Sequence, residues 1–278
     1  MISGDFYKNK LIVASYPIMP ADKLSITLVQ PDIVWEQKKA NLAHYESTIA
    51  SLTEHTHVLV LPEMFSTGFS MNSSALAETM DGESVAWMKH WAAQRKCIIT
   101  GSLIIEEEGQ YYNRMLWVQP DGRLFHYDKR HLFGLAHENQ HYAAGNKRLI
   151  VQVNGWRILL LVCYDLRFPV WARNQEDEYD VMICVANWPA VRSLAWNTLL
   201  QARAIENQAY VIGVNRVGTD GKGHYYSGDS SVYDPSGTLL FRQSDTACCK
   251  TVQLSKETVR ATRESLPFLK DADRFLIM

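Results

Sequence analysis

The sequence predicts an α/β fold in which β-sheets are covered by helices. Apolar strand-like runs alternate along the chain with segments of helical spacing, and hairpins are inserted between some of them. The chain has 278 residues, of which 47% are hydrophobic, so it can bury a large core as one domain. No internal repeat or low-complexity tract interrupts this pattern.

The individual elements follow from apolar runs and their spacing. The predicted strands are 24–30, 57–61, a hairpin around 97–118, 123–128, 149–153, 156–162, 180–186 and 209–215. The predicted helices are near 35–54, 83–95 and 194–207, with another after Phe168. Two loops, 62–82 and 129–148, exceed the usual loop length, and long loops in compact domains are commonly functional.

One apolar strand ends on a cysteine. The run 156–162 stops at Cys163, and Tyr164-Asp165-Leu166-Arg167-Phe168-Pro169 reads as a helix start. A thiol at such a junction meets outward-pointing backbone N–H groups, which can hold it as a thiolate nucleophile. The alternative is a buried, inert cysteine, because free Cys packs as a small hydrophobe.

Two other strand ends carry charged residues. Glu63 follows the apolar run 58–61 and Pro62, and Lys129 follows the alternating run 124–128. Each alone is typical of the solvated beginning of a loop. Together with Cys163, they place three reactive side chains on three strand ends, which predicts one shared site.

The motifs around these residues resemble those of the nitrilase superfamily of carbon–nitrogen hydrolases. The matching segments, in order, are Pro62-Glu63, Asp128-Lys129-Arg130-His131-Leu132-Phe133, Cys163-Tyr164-Asp165-Leu166-Arg167-Phe168-Pro169 and Ala186-Asn187-Trp188-Pro189. The resemblance runs from about Leu24 to the C-terminus, and four ordered motifs are far more specific than one. Two further segments are most similar to the bacterial ω-amidases (2-oxoglutaramate amidases): Pro62-Glu63-Met64-Phe65 and Trp188-Pro189-Ala190-Val191-Arg192-Ser193.

The resemblance implies a fold, an assembly and a set of roles. The fold is an α-β-β-α sandwich of the nitrilase type, with two stacked mixed sheets flanked by helices, which pairs through one helical face into a homodimer. The roles are a Glu63, Lys129 and Cys163 triad, with Glu138 supporting the lysine and the substrate nitrogen. Without the resemblance, Glu138 reads as a loop carboxylate in water.

These residue types suit the hydrolysis of an amide by a thiol. Glu63 can take the thiol proton as a base and later protonate the departing ammonia. Attack by the Cys163 sulfur creates an oxyanion that the Lys129 ammonium and the backbone N–H of Tyr164 can stabilise. A thioester remains, and water activated by Glu63 hydrolyses it. The sequence therefore predicts a thiol amidase that acts on a small-molecule amide without a metal or a cofactor.

The predicted substrate is the monoamide of a small dicarboxylic acid, such as 2-oxoglutaramate. Arg192, at a helix start after strand 180–186, is the candidate for binding the distal carboxylate through two hydrogen bonds, and Phe69, Phe133 and Trp188 are candidate apolar walls. Arg192 can equally be a solvated residue. Other hypotheses are a different substrate, namely an N-carbamoyl compound, a nitrile or deaminated glutathione, and a homologue that binds without catalysis.

Composition excludes several other classes. The formal net charge is -2 and no basic patch occurs, which argues against a nucleic-acid partner. No apolar run approaches the roughly 20 residues that a membrane span needs. Five cysteines without Cys-x-x-Cys pairing or a secretory framework indicate a reducing cytoplasm.

The other cysteines and the loop histidines are predicted to be structural. Cys97 and Cys184 lie in apolar runs and are assigned to the core, whereas Cys248 and Cys249 fall in a late strand. The loop histidines lack the spacing of metal ligands and are expected to be hydrogen-bonded or exposed. They are His131, His137 and His141.

Both ends of the chain depart from the domain pattern. Residues 1–22 are predicted to be an appendage, with Met19 as a candidate start, and 23–278 to be the carbon–nitrogen hydrolase domain. The tail 255–278 has no sheet partner of its own. In enzymes that this chain resembles such tails reach across the dimer, and the alternative is a tail packed on its own subunit.

Overall fold

Two mixed β-sheets form the centre of the computed structural model, which describes residues 10–13 and 21–277. The strands in chain order are β1 (Lys10–Val13), β2 (Lys23–Gln30), β3 (Val58–Val60), β4 (Ile98–Glu107), β5 (Gln110–Val118), β6 (Leu124–Asp128), β7 (Arg148–Val153), β8 (Trp156–Val162), β9 (Val181–Val185), β10 (Tyr210–Val214), β11 (Val217–Thr219), β12 (Tyr225–Tyr233), β13 (Leu239–Ser244) and β14 (Cys248–Ser255). The α-helices are α1 (Lys38–Ala50), α2 (Ser73–Leu76), α3 (Glu83–Arg95), α4 (Pro169–Ala172), α5 (Ser193–Asn207) and α6 (Lys256–Ser265).

The strands divide between a first and a second sheet. The first sheet has the order β1-β7-β8-β9-β10-β12-β11, and β13 also pairs with β12. The second sheet has the order β14-β2-β3-β4-β5-β6. Neighbours β8, β9 and β10 are parallel in the first sheet, as are β2, β3 and β4 in the second, so both sheets are mixed.

Side chains on opposite faces of the strands pack into two different layers of the core. In β2, Ile26 and Leu28 join the core that also contains the β8–β10 side chains, so they lie between the two sheets. Val29 instead packs in a second core with residues of α1 and α3. Successive strand residues point to opposite faces, so one strand serves both layers. This is the α-β-β-α arrangement that the resemblance implies.

Most elements lie where the sequence predicts them. The strands predicted outside the hairpin agree with the observed bounds to within one residue at each end, and α3 is observed as predicted. The helix predicted near 35–54 is too long at both ends, since α1 is Lys38–Ala50. Its start is delayed because Glu36 has a left-handed φ of 55° and the Asn41 side chain binds both backbone groups of Val34. The helix after Phe168 is a single turn, α4.

Part of the predicted N-terminal appendage is a strand. β1 pairs in parallel with β7 at the edge of the first sheet. Residues 1–9 and 14–20 lie outside the described part of the chain, and so does the candidate start, Met19.

The beginning of the C-terminal tail packs on its own subunit. In α6, Val259 is buried, and Arg263 donates from Nη2 to the carbonyl oxygen of Tyr179 at 2.7 Å and from Nε to that of Gln208 at 3.0 Å. Ser255, the first residue of the predicted tail, ends β14 and pairs with Lys23, whereas residues 256–277 form no strand. None of the helices between residues 21 and 277 is long and apolar enough to span a membrane.

Candidate active site

The predicted triad assembles where the ends of strands from both sheets meet. Glu63 and Lys129 follow β3 and β6 of the second sheet, and Cys163 follows β8 of the first. Parallel strands direct their carboxyl ends to one edge, which is where ligands bind in many α/β proteins. The structure thus brings together side chains from three separate segments of the sequence.

Lys129 lies between two carboxylates, and all three side chains are fully buried. Its Nζ donates to Glu63 Oε1 at 2.9 Å and to both oxygens of Glu138, at 3.0 and 2.9 Å. Burial disfavours the ammonium, but the charges of Glu138 and Glu63 outweigh it and hold the pKa of Lys129 well above its ordinary value. Lys129 is therefore a fixed buried cation, as a stabiliser of an oxyanion must be.

Glu138 is buried rather than solvated. Besides Lys129, it accepts the backbone N–H of Phe133 at 2.6 Å. Burial raises the pKa of Glu138, Lys129 lowers it, and the neighbouring Glu63 raises it again, with a net shift upward. The reading of this residue as a loop carboxylate in water is wrong.

Asn113 joins the two carboxylates from the hairpin strand β5. Its Nδ2 donates to Glu63 Oε1 at 2.7 Å and to Glu138 Oε1 at 3.2 Å, and its Oδ1 accepts the Ser102 hydroxyl at 2.7 Å. The sequence reasoning missed this residue, since an asparagine within a hairpin strand carries no recognisable signal.

Asn187 connects the base candidate to the thiol. Its backbone N–H donates to Glu63 Oε2 at 2.8 Å, and its side-chain amide donates to the backbone oxygen of Glu63. Its carbonyl oxygen lies 4.0 Å from the Cys163 sulfur. The motif Ala186-Asn187-Trp188-Pro189 pointed to this segment, but the bridging role of Asn187 was not predicted.

Cys163 has a left-handed backbone and a thiol with a raised pKa. Its φ is 47°, in the left-handed region, and it opens the 3₁₀ turn Cys163–Arg167. A non-glycine residue in that region costs about 1–3 kcal/mol and is common at active sites. Burial and the negative Glu63 raise the pKa of the thiol well above its ordinary value, and Lys129 offsets this only in part. The raised pKa favours the protonated thiol, so attack on an amide needs a base to take its proton, which is the role that the sequence predicts for Glu63.

A cavity of about 330 Å³ opens onto the thiol. The predicted binding residues all line it: Phe69, Phe133, Tyr164, Trp188 and Arg192. The Tyr164 ring packs edge-on against Phe133, with the ring centroids 5.0 Å apart. The Lys129 ammonium lies 5.0 Å from the centroid of Phe69, which places the buried cation just behind an apolar wall.

Two guanidinium groups line the same cavity. Arg192 lies 5.4 Å from the Phe133 ring centroid, and Arg167 lies 4.7 Å from that of Trp188. Within residues 21–277 neither guanidinium has a carboxylate partner. Arg167 was not predicted to bind substrate, although it lies in the quoted cysteine motif. Asp220, the acidic residue on this wall, already accepts the Tyr226 hydroxyl at 2.9 Å.

The loop histidines are satisfied or exposed, as predicted. The His131 ring lies 2.8 Å from Asp165 and stacks on Phe168, whereas His137 and His141 are exposed. His137 also lines the cavity. In residues 10–13 and 21–277, no group of three or more His, Cys, Asp or Glu side chains could hold a metal ion. Cys97 and Cys184 are buried in the core, and Cys248 and Cys249 lie in β14, as predicted.

Comparisons with known proteins agree over most of the chain. The family model for carbon-nitrogen hydrolase matches residues 25–264. The chain is 48% identical over 258 residues to omega-amidase YafV of Yersinia enterocolitica, covering 92% of this chain and 99% of that protein. It is 31% identical over 253 residues to 2-oxoglutaramate amidase of Bacillus subtilis, covering 90% and 97%.

A solved structure shares the fold. XC1258 from Xanthomonas campestris is a CN-hydrolase superfamily protein that carries an arsenic adduct in its active site. Its TM-score with this chain is 0.90 at 42% identity, and the match covers 92% of this chain and 99% of that one.

Proposed function

The chain belongs to the carbon–nitrogen hydrolase family, and we propose that it hydrolyses the ω-amide of small dicarboxylic acid monoamides, such as 2-oxoglutaramate. The products are the diacid and ammonia. The names of the Yersinia and Bacillus relatives support this substrate class. The observation that carries the proposal is one cavity containing the Cys163 thiol, with Arg167 and Arg192 on its walls and the Glu63–Lys129–Glu138 cluster buried behind it.

Acylation begins with the neutral thiol. Glu63 accepts the proton of Cys163 as the sulfur bonds to the amide carbon, and the carbonyl oxygen becomes an oxyanion. The Lys129 ammonium and the backbone N–H of Tyr164 stabilise that oxygen, and removal of one such donor typically costs about 10²–10³ in rate. Glu63 then returns the proton to the nitrogen, the carbon–nitrogen bond breaks and ammonia leaves.

Deacylation uses the same groups in reverse. Glu63 takes a proton from water, and the resulting hydroxide attacks the thioester carbon. Lys129 again stabilises the oxyanion, the carbon–sulfur bond breaks and the proton returns to the Cys163 sulfur. Asn113 and Asn187 hold the Glu63 carboxylate through hydrogen bonds to its two oxygens, so the base keeps one orientation through both steps.

The positive cavity wall selects the acid portion of the substrate. Arg192 is half-buried against Phe133 and presents a guanidinium that can bind a carboxylate by two parallel hydrogen bonds. Arg167 supplies a second cation on the same wall. A neutral alkyl amide leaves both unpaired inside a partly desolvated cavity, so it binds less well than a dicarboxylic monoamide.

A homodimer in a reducing cytoplasm is the state we propose for this enzyme. Large apolar side chains on and beside α5 are exposed, with Val191 at 85%, Leu194 at 80% and Ile205 at 52%, and exposed apolar patches commonly mark protein–protein contacts.

Ammonia release from a panel of amides tests the proposed substrate class. We expect 2-oxoglutaramate and succinamate to be hydrolysed with a kcat/KM about 10-fold to 10²-fold above that of butyramide, because a hydrogen bond to a charged group contributes about 1.5–3 kcal/mol. Arg192→Ala should remove most of that preference while sparing butyramide. The exposed Arg260 of α6 provides the control variant, Arg260→Ala.

Equal rates for butyramide and 2-oxoglutaramate would leave only a general amidase. The same panel should include an N-carbamoyl amino acid, a nitrile and deaminated glutathione, because each is a substrate class that the carbon–nitrogen hydrolase chemistry permits. A higher kcat/KM for one of these compounds than for 2-oxoglutaramate would show that the proposed substrate class is wrong.

A further inference from the structure

Asp165 is a fully buried carboxylate that binds two separate segments of the chain. Its Oδ1 accepts the backbone N–H of His131 at 2.9 Å and lies 2.8 Å from Nδ1 of the same residue. Its Oδ2 accepts the Tyr127 hydroxyl at 2.7 Å and the backbone N–H of Val162 at 3.1 Å. We call Asp165 and these three partners the Asp165 brace.

The brace holds the backbone beside two reactive side chains. Tyr127 and His131 lie two residues before and two residues after Lys129, and Val162 directly precedes Cys163. One carboxylate therefore ties the end of β6 to the end of β8.

No strand pairing joins these two ends. β6 is the edge strand of the second sheet, and β8 lies inside the first. Between the sheets, the core contacts are apolar and non-directional, so they resist separation more than sliding, and the directional bonds from Asn187 to Glu63 do not involve the end of β6. Hydrogen bonds lose strength steeply with angle and distance, so the brace supplies the directional restraint that the core does not.

The Tyr127 hydroxyl is well placed to act as a donor. Tyr127 is buried, and its oxygen accepts Nε1 of Trp171 at 2.9 Å and the backbone N–H of Arg130 at 3.3 Å. Burial and the adjacent Asp165 hold the pKa of Tyr127 well above its ordinary value, so the hydroxyl keeps the proton that it donates. The ring of His131 is fixed from its other side by stacking on Phe168, at 3.8 Å between centroids.

We propose that Asp165 is a positioning residue, which sets the Lys129 ammonium relative to the Cys163 thiol by binding the ends of β6 and β8 together. This inference rests on the proposed function, in which Lys129 stabilises the oxyanion formed by attack of Cys163. A stabilising donor must lie close to the position that the oxyanion will occupy. A displacement of about 1 Å can cost about 10²-fold in rate.

The test compares two tyrosine-to-phenylalanine variants. Tyr127→Phe removes the oxygen that joins β6 to Asp165 and keeps the ring. Tyr179→Phe is the matched control, because Tyr179 is equally buried and donates its hydroxyl to the backbone oxygen of Ala172, outside the cavity lining. We expect Tyr127→Phe to lower kcat for 2-oxoglutaramate by about 10-fold to 10²-fold with little change in KM. Tyr179→Phe should keep the wild-type kcat.

A double variant separates positioning from support of the local turn. If Tyr127 acts through Asp165, Tyr127→Phe combined with Asp165→Asn should be no slower than Asp165→Asn alone. Independent, multiplicative losses would overturn the inference. If Asp165→Asn fails to fold, the kcat of Tyr127→Phe alone tests the inference. A wild-type kcat in Tyr127→Phe would overturn the inference in either case.

Iodoacetamide alkylation of Cys163 distinguishes this inference from the proposed function. Lys129 favours the thiolate, so loosening the brace should slow alkylation in Tyr127→Phe but not in Tyr179→Phe. A wild-type protein that hydrolyses no amide would overturn the proposed function, and the alkylation rates would then decide the brace. Unchanged alkylation in Tyr127→Phe would count against it.

Discussion

At the scale of single residues, the site depends on one buried cation between two carboxylates. Burial of an ion is costly unless it is paired and hydrogen-bonded, and Lys129 satisfies both conditions through Glu63 and Glu138. The same arrangement raises the pKa of the Cys163 thiol, because the thiol is buried beside the negative charge of Glu63. In the proposed mechanism, catalysis therefore begins with a proton transfer rather than with a preformed thiolate.

Substitution of the cation and the base tests this arrangement. Lys129→Ala should lower kcat by about 10²–10³. Lys129→Arg should not restore kcat, because a planar guanidinium cannot occupy the place of a compact ammonium. Glu63→Gln keeps the shape but removes the base, so kcat should fall by about 10²–10⁴. The measurement is steady-state ammonia release, with urea denaturation to verify folding.

A surface lysine provides the control for these variants. Lys38→Arg changes a residue that pairs with Glu78 in a partly exposed setting, so its kcat should match the wild type. A Lys129→Arg protein with wild-type kcat would show that Lys129 contributes only charge, which contradicts the proposed oxyanion geometry.

The candidate site residues could be predicted from the sequence, but their surroundings could not. Glu63, Lys129 and Cys163 could be predicted because each follows an apolar strand within a recognisable motif. Asn113 could not, because its role arises from the pairing of β4, β5 and β6, which brings it beside Glu63. The raised pKa of the Cys163 thiol could not be predicted either, since burial and the approach of Glu63 are tertiary effects.

At the scale of elements, strand ends and the turns after them carry the site. Apolar runs bounded by charged or turn residues located the strands, which is why their predicted limits agree with the structure. The limits of α1 depend instead on Asn41, whose side chain binds Val34 and also donates to the backbone oxygen of Ser66 at 2.9 Å. Such a tertiary contact has no periodic signature in the sequence.

The C-terminal helix α6 is bound by Asp180, which directly precedes β9. Asp180 is buried, and it accepts from Lys256 and Arg263 of α6 and from the backbone N–H of Arg157 at 3.0 Å. Burial would raise the pKa of Asp180, but the hydrogen bonds from Arg157 and Lys256 prevail and lower it. A carboxylate with a lowered folded pKa stabilises the fold above its unfolded pKa.

Acid should therefore weaken the attachment of α6. We expect the contribution of Asp180 to be complete above the unfolded pKa of about 4 and to disappear as the pH falls through the lower folded value. Asp180→Asn should reduce the free energy of unfolding by about 1–3 kcal/mol at pH 7 and should flatten its fall between pH 5 and pH 3. Urea denaturation across that range measures both effects. An exposed control, Asp121→Asn, should keep the wild-type slope, and an equal slope in Asp180→Asn would contradict the assignment.

In the whole molecule, the two sheets contribute different residues of the candidate active site. The second sheet carries Glu63 and Lys129, and the first carries Cys163 and Asn187. The α-β-β-α architecture could be predicted from the family resemblance and the alternation of elements. The position of one sheet relative to the other could not be predicted, because it depends on side-chain packing and on hydrogen bonds such as that from the Asn187 backbone N–H to Glu63.

Detection of an acyl group on Cys163 tests whether hydrolysis passes through a thioester. The wild-type protein is quenched with acid during turnover of 2-oxoglutaramate, and digestion with mass spectrometry locates the added mass. We predict an adduct on the peptide that contains Cys163. It should be absent from Cys163→Ala, which should fold normally and release no ammonia. Cys97→Ala is the control, because Cys97 lies in the core and its loss should lower stability but spare turnover. Wild-type ammonia release by Cys163→Ala would contradict the thioester mechanism.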